Sequence, residues 1–264
     1  MVQLVLTART TYPAFLAKAT EIANAMLAHA APTFEAELNA NSVTATRLRD
    51  VAVESRHAES ALYGWTARSA KADTIFVNEV LRDRLDMIAQ ENSSHEYQCV
   101  VFMVAAVLFH ESAHLTLRWK GILDSPTKYG NEVGNYMERK LFDGQSRLKI
   151  QKSTSVISRT RNIGTWTRNM AILDVVIEQL DGMKVIRADH LNKFFTRGKL
   201  DDKALFPLEL TTYRRTKGAT AHHGGGRKRR RRRPAEDPTI MIPFPLCGIS
   251  MNRYVKRKLS VYKC

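Results

Sequence analysis

The chain has 264 residues, of which 44% are hydrophobic, so it can bury one good hydrophobic core. Its formal net charge of +15 suggests a nucleic-acid-binding protein, but residues 214–264 hold 15 of the 41 basic residues and only two of the 26 acidic ones. The rest of the chain is close to neutral, which excludes a basic surface spread over the whole molecule. Three widely spaced cysteines without a CxxC pair exclude a disulfide framework and a structural zinc knuckle.

The N-terminal part of the sequence predicts one short strand and then mainly helices. Residues 3–7 have the pattern of a strand, and Pro13 opens a helix whose apolar stripe ends near Pro32. Helix propensity resumes over residues 42–65, in a more polar stretch. A brief β-rich run at residues 74–77 is followed by a helix predicted over residues 78–90.

The most apolar segment predicts a helix buried in the core. The sequence is uninterruptedly apolar from Cys99 to Phe109, continues through Leu117, and stops at Gly121. A membrane span is a poor alternative, because the apolar run is short and leads directly into charged and polar residues.

This helix carries the HExxH motif, formed by His110, Glu111 and His114. One helical turn separates the two histidines, so both imidazoles project from the same face and can share a metal ion. The alternative is a hydrogen-bonded core or a salt bridge between helices. Burying three polar groups inside an apolar helix is costly unless something satisfies them, and zinc satisfies all three. The motif therefore predicts a zinc site.

A third ligand is expected in the second of the two segments that follow the HExxH helix. Residues 123–130 are rich in turn-forming types, and an apolar stripe beginning at Val133 then predicts a short amphipathic helix. Glu132 is the favoured third ligand, with the fourth position open for water, and Glu138 competes for that role. If Glu132 binds the metal, Glu138 is either a partner for an imidazole or a surface carboxylate.

The HExxH helix followed by a glutamate-bearing helix resembles the gluzincin metallopeptidases, the clan that includes thermolysin and the zinc aminopeptidases. More narrowly, Glu132, Gly134, Glu138 and the ending Leu141 to Gly144 are similar to uncharacterised zincin-like proteins of fungi, which usually carry Phe-Gly-Gly where this chain has Asp143 as the middle residue. The resemblance covers about residues 75–200. The NExxSD pattern of thermolysin-like enzymes is only partly present, so the residue that orients the first histidine is not identified.

The resemblance implies a zinc metallopeptidase. His110, His114 and Glu132 would be the ligands of Zn²⁺, and Glu111 would be the general base that takes a proton from a zinc-activated water before the amide bond is hydrolysed. It also makes residues 74–77 a candidate for the edge strand that holds an extended substrate. The candidates for an oxyanion donor are Tyr129, Tyr136 and His190. For Tyr136, packing in the core is the favoured role.

The C-terminal part predicts a mixed lobe. Residues 147–150 and 153–157 are candidate strands, and residues 172–179 and 184–186 flank a turn centred on Asp181 and Gly182. Asp189 is expected to cap a short helix that runs through Phe195. The predicted fold class is therefore α+β, a helix-dominated zincin-like domain with a small mixed sheet and a disordered basic C-terminal segment.

Three regions follow from this pattern: a zincin-like metallopeptidase domain over residues 1–213, a disordered basic linker over 214–237, and an apolar and basic segment over 238–264. The last segment either folds back onto the domain or docks elsewhere. Seven consecutive basic residues make the linker a candidate contact for a nuclear-import receptor or for nucleic acid or another polyanion. They are Arg227, Lys228, Arg229, Arg230, Arg231, Arg232 and Arg233.

Two further expectations concern function and location. The alternative to a peptidase acting on a peptide or protein substrate is a catalytically silent zincin-like scaffold that binds polyanions through its Arg-rich segment. Residues 2–6 are apolar but too short for a signal peptide, and no membrane association is expected. An intracellular location, cytoplasmic or nuclear, fits the sequence best.

Overall fold

The computed structural model describes residues 3–7, 15–57, 62–88, 94–151, 171–196, 200–213 and 239–242. The helices are α1 (Phe15–His29), α2 (Ala31–Leu38), α3 (Ser42–Leu48), α4 (Glu79–Ile88), α5 (His95–Arg118), α6 (Val133–Phe142), α7 (Ala188–Lys193) and α8 (Asp202–Leu205). The strands are β1 (Ala52–Arg56), β2 (Gly64–Thr66), β3 (Thr74–Asn78), β4 (Gln145–Gln151), β5 (Ile172–Gln179), β6 (Gly182–Ile186), β7 (Leu210–Thr212) and β8 (Thr239–Ile242). Helices dominate, and the predicted α+β class is confirmed.

Helix α5 lies at the centre of the fold. It begins after Ser94, whose side chain accepts a hydrogen bond from the backbone N–H of Tyr97, and all its residues from Gln98 to Arg118 are buried. It contacts β2 and β3 on one side, β4 and β5 on another, and helices α1 and α6 besides. Within the described residues, α5 alone is long and apolar enough to cross a membrane, and its apolar window is wholly buried inside the fold. Packing in the core therefore accounts for its apolar character.

A three-stranded sheet covers one side of α5 in the order β1-β3-β2. Strand β3 pairs parallel with β1 and antiparallel with β2. Residues 74–77 do form a strand, as predicted, but the prediction that this strand is an edge is wrong. Strand β3 lies between the other two, because the preceding polar stretch contributes strands of its own.

A five-stranded antiparallel sheet packs against α5 and α6, in the order β7-β6-β5-β4-β8. Strand β8 pairs with β4, which joins residues 239–242 to the sheet. This part of the predicted segment 238–264 thus folds back onto the domain. The strand predicted at residues 153–157 and the basic residues 227–233 lie outside the described residues.

The helix predicted over residues 42–65 is wrong beyond its first two turns. Helix α3 ends at Leu48, and β1 and β2 follow. The apolar residues Val51, Ala52 and Val53 are consecutive and all buried, and a short apolar run of this kind suits a buried strand. Residues 3–7 form a single bridge, between Leu6 and Val51, instead of a full strand.

Three boundaries also differ from the sequence-based expectation. Helix α1 ends at His29, and Pro32 lies in the first turn of α2, where its missing N–H costs nothing. In the β5–β6 hairpin Gln179 pairs with Gly182, so the turn residues are Leu180 and Asp181. Asp189 lies inside the first turn of α7 and pairs with Arg187, so it does not cap the helix.

Candidate metal centre

The two histidines of the HExxH motif lie together on one face of the buried helix α5. His110 and His114 are 0% and 4% exposed, and their ring centroids are 5.3 Å apart. This is the arrangement that one helical turn between them predicts.

Glu132 completes a group of three potential ligands. It is the N-cap of α6, and its Oε1 accepts a hydrogen bond from the backbone N–H of Gly134. The same oxygen lies 2.6 Å from Nε2 of His114 and 3.2 Å from Nε2 of His110. One ligand atom from each of the three residues lies within 4.8 Å of the others, so the group could hold a metal ion.

The loop before α6 turns sharply to bring Glu132 to this position. Gly130 and Asn131 both have a left-handed backbone, with φ of 68° and 63°. Glycine adopts this conformation without strain and asparagine tolerates it. The loop is also fastened by Ser125, whose hydroxyl accepts a hydrogen bond from the backbone N–H of Val133 at 3.0 Å. Local turn chemistry therefore delivers the carboxylate to the histidines.

Glu138 lies on the other side of the His110 ring. Its Oε1 is 2.7 Å from Nδ1 of His110, whereas Glu132 approaches Nε2. Its Oε2 accepts hydrogen bonds from the backbone N–H and the hydroxyl of Ser146, both at 2.7 Å. The sequence left two roles open for Glu138 if Glu132 binds the metal, a partner for an imidazole or a surface carboxylate. The structure favours the partner for an imidazole, since Glu138 is 0% exposed. It also orients the first histidine, a task that the sequence left unassigned.

Gly134 allows α6 to come close to α5. A Cβ atom at this position would lie 2.2 Å from Nε2 and Cδ2 of His110. No side chain fits between the helix and the imidazole ring. The glycine therefore permits the approach that places Glu132 beside both histidines.

Glu111 contacts the three-stranded sheet. Its Oε2 accepts a hydrogen bond of 3.2 Å from the hydroxyl of Thr66, and both residues are buried. Thr66 is the last residue of β2, the outer strand beside α5. This partner could not be predicted from the sequence, because it lies 45 positions away in a stretch with helical propensity.

The electrostatics of the group favour a positive charge at its centre. Burial by itself lowers the pKa of His110, but hydrogen bonds with Glu132 and Glu138 outweigh it and raise the pKa to about 10. Burial raises the pKa of Glu132, but the bonds with His110 and His114 outweigh it and lower the pKa to about 2. Protons on the imidazoles supply part of this positive charge, and a divalent cation would supply it by replacing them.

The group also fits a metal ion by its donor set. Two imidazole nitrogens and one carboxylate are a common ligand set of catalytic metal sites that keep a fourth position open. Among the described residues, Oε2 of Glu132 is buried and accepts no hydrogen bond. A buried acceptor of this kind costs roughly 1–3 kcal/mol. A cation near the carboxylate would remove that cost.

The three candidate oxyanion donors lie elsewhere. The hydroxyl of Tyr129 donates a hydrogen bond of 2.6 Å to the backbone carbonyl of Glu37, and Tyr136 packs against Tyr129. His190 is buried between Glu209 and the carbonyl of Leu205, at 3.1 and 3.0 Å. The structure brings none of the three to the HExxH helix among the contacts described.

Comparison with known proteins assigns the domain. The sequence model of a family described as metallopeptidase toxin 3 matches residues 8–143, slightly more than half of the chain. The matched region contains the HExxH helix, Glu132 and Glu138, and ends before β4. No curated protein and no solved structure matches the chain. The predicted likeness to a metallopeptidase is thus confirmed, whereas the narrower likeness to fungal proteins stays a prediction. The chain belongs to the metallopeptidase toxin 3 family.

Proposed function

We propose that the protein is a zinc-dependent peptide hydrolase in which His110, His114 and Glu132 hold the metal and Glu111 is the general base. The observation that carries the proposal is the convergence of the three donor atoms within 4.8 Å, in a chain of a metallopeptidase family. Zinc is the proposed ion because it takes imidazole and carboxylate ligands in four-coordinate sites.

The three proposed ligands come from two different parts of the fold. The two imidazoles come from one rigid, buried helix, whereas Glu132 comes from a capped turn at the start of α6. When bound, the zinc ion would supply a Lewis acid that polarises the substrate carbonyl and eases deprotonation of water. Burial helps to hold both imidazoles in place, since their side chains are 0% and 5% exposed.

Glu111 is the group proposed to move the proton. It is next to His110 in the chain and is not one of the three proposed ligands, which suits the role of a base. It would take a proton from the water that attacks the peptide carbonyl and pass it to the departing amine. The hydroxyl of Thr66 would hold the carboxylate in place during both transfers.

The proposed substrate is an extended peptide or protein segment that lies along β2. Among the described strands, β2 is one of the two outer strands of the three-stranded sheet, and it contacts the HExxH helix. A peptide added to an outer strand gains backbone hydrogen bonds regardless of its sequence. Because Thr66 belongs to this strand and donates a hydrogen bond to Glu111, a peptide paired there would lie next to the proposed base.

A pair of variants tests the proposal. In the zinc-loaded full chain, Glu111→Gln should abolish hydrolysis of a fluorogenic peptide library while zinc stoichiometry stays unchanged, since only the base is lost. His110→Ala should lose the metal itself, as measured by elemental analysis. Hydrolysis by Glu111→Gln at the parent rate would remove Glu111 from this role. A parent protein that binds zinc but cleaves no peptide would favour a catalytically silent scaffold.

The basic residues 227–233 support a second, separate proposal about partners and location. Seven consecutive positive charges favour a contact with nucleic acid, another polyanion or a nuclear-import receptor. Such a contact would suit a cytoplasmic or nuclear protein. Deletion of residues 214–233 should weaken retention on heparin and DNA columns and leave peptide hydrolysis unchanged. Equal retention of the deletion variant and the parent would contradict this contact.

A further inference from the structure

We propose that Ser146 is a positioning residue of the metal site, acting through Glu138 on the ring of His110. Ser146 lies on β4, beyond the residues 8–143 that match the family model. The metal affinity of the protein would then depend on the five-stranded sheet as well as on the matched region. The inference rests on the metal site proposed above and extends it.

An unbroken chain of short hydrogen bonds carries the proposal. From Ser146, the backbone N–H and the hydroxyl both reach Oε2 of Glu138, at 2.7 Å each. The other oxygen of Glu138 then lies 2.7 Å from Nδ1 of His110. All three residues are 0% exposed, so water does not compete for these bonds.

The chemistry of the three contacts requires a carboxylate at the centre. Ser146 offers two donors to Glu138, and the Nδ1–H of His110 is a third. An ionised carboxylate has only acceptors and satisfies all of them, whereas an amide would turn a donor toward one of these groups. In the neutral ring that binds a metal, the proton stays on Nδ1 and the lone pair of Nε2 faces Glu132 and His114.

Burial makes the two Ser146 bonds necessary. A carboxylate removed from water is stable only when it is paired or well hydrogen-bonded. Glu138 has one imidazole partner, and the two bonds from Ser146 supply the rest of its compensation among the contacts described. Without the serine hydroxyl, the carboxylate of Glu138 would lose one of its hydrogen bonds and would rotate, and the ring of His110 would rotate with it.

The sheet fixes Ser146 at the required place. The residue pairs with Ile177 on β5, and the preceding Gly144 lies so close to β5 that a Cβ there would be 2.6 Å from the carbonyl oxygen of Glu178. The α6–β4 connection therefore leaves little freedom in where β4 starts. The position of His110 is thus linked to two elements, α5 and β4, which are far apart in the sequence.

The test measures zinc affinity, which does not require catalytic activity. In the full chain, the dissociation constant would be measured by competition with a chromophoric chelator, together with the visible spectrum of the cobalt(II)-substituted protein. We expect Ser146→Ala to raise the zinc dissociation constant about tenfold and Glu138→Gln about 100-fold, within the range seen when partners of metal ligands are lost. Ser146→Thr keeps a hydroxyl at this position, so its zinc dissociation constant should stay within about threefold of that of the parent.

Ser112→Ala is the matched control. Ser112 is also a buried serine, on the helix that carries His110, but its hydroxyl donates to the carbonyl of Leu108 at 2.7 Å. The same chemical change at this position should leave the zinc dissociation constant and the cobalt spectrum unchanged. A general loss of buried hydroxyls would affect both serine variants alike.

Each outcome decides the proposal. If Ser146→Ala lowers the urea midpoint of the metal-free protein but leaves the zinc affinity and cobalt spectrum unchanged, Ser146 is merely structural and the proposal is overturned. If that variant does not fold, Ser146→Cys, which keeps the shape with a weaker donor, replaces it under the same criterion. A parent that binds no zinc overturns the proposal outright. A parent that binds zinc with the expected variant series but hydrolyses no peptide supports it, and only the proposed peptidase function fails.

Discussion

Replacing Gly134 by alanine tests whether the close contact between α6 and His110 sets the metal site. The new Cβ would lie 2.2 Å from Nε2 of His110 and 2.4 Å from Cε1. Ordinary carbon contacts are about 3.5–4.0 Å, so the two groups must separate by more than about 1 Å. The ring cannot swing aside freely, because Glu138 holds its Nδ1 at 2.7 Å. The start of α6 must therefore move, and Glu132 moves with it.

Two opposing terms set the expected size of the effect. Overpacking a buried position costs about 1–3 kcal/mol, and the higher helix propensity of alanine returns at most about 1 kcal/mol. We therefore expect Gly134→Ala to lower the free energy of unfolding of the metal-free protein by about 1–2 kcal/mol. Because Glu132 is displaced from both histidines, the zinc dissociation constant should rise by about 10- to 100-fold. Urea unfolding and chelator competition measure the two quantities separately.

Gly64→Ala is the control for overpacking alone. A Cβ at Gly64 would lie 2.3 Å from Cγ1 of Val107, also on α5, and 2.8 Å from the carbonyl oxygen of Phe76. The clash is as severe as that at Gly134 but involves no proposed ligand. This variant should lose similar stability and keep the zinc affinity of the parent within about twofold. If Gly134→Ala also kept that affinity, the contact with His110 would have no part in metal binding.

Three further predictions concern the base, the metal and pH. Thr66→Val should lower kcat about 10- to 100-fold at unchanged KM and zinc content, because a hydrogen bond to a charged group contributes about 1.5–3 kcal/mol. Thr66→Ser should retain the parent kcat, and equal kcat in both variants would exclude Thr66 from positioning Glu111. Removing zinc with a chelator should lower stability by about 2.7 kcal/mol relative to protein at 100 times the dissociation constant, and an identical thermal midpoint with and without zinc would contradict binding to the folded state. The hydrogen bond that Nε2 of His95 donates to Asp174 raises the pKa of His95 against a smaller lowering by burial. This pair therefore stabilises the fold below the unfolded pKa of about 6.5 and loses its contribution as pH rises through the folded pKa. In Asp174→Asn that loss should disappear from urea-unfolding data collected at roughly pH 6–8.

The parts of the site that the sequence predicted depend on local spacing. His110 and His114 share a face because they are one turn apart, and the apolar run before them predicts burial of the helix. Glu132 was favoured as a ligand because it stands at the start of the next amphipathic helix, and the structure places it beside both imidazoles. Periodicity and helix boundaries are properties of neighbouring residues, so a single sequence contains them.

The parts that the sequence did not predict depend on pairing between distant segments. Thr66 is 45 positions from Glu111, on a strand within a stretch that has helical propensity. Side-chain packing and strand pairing decide such a stretch more than intrinsic propensity does. The prediction that residues 74–77 form the edge strand is wrong for the same reason, since strand order in a sheet cannot be derived from the composition of one strand.

Asp143 shows how a local departure from a pattern acquires a structural explanation. The likeness to fungal zincin-like proteins, which stays a prediction, would place glycine here, and the residue ends α6 with a left-handed backbone, at a φ of 56°. Glycine favours this conformation, and aspartate is among the few other residues that tolerate it, because its short polar side chain bonds locally. Its carboxylate accepts a hydrogen bond of 3.3 Å from the side-chain amide of Gln179, on β5. The turn thus keeps its geometry without the glycine and gains a contact with the sheet, and three residues later that sheet presents Ser146 to Glu138.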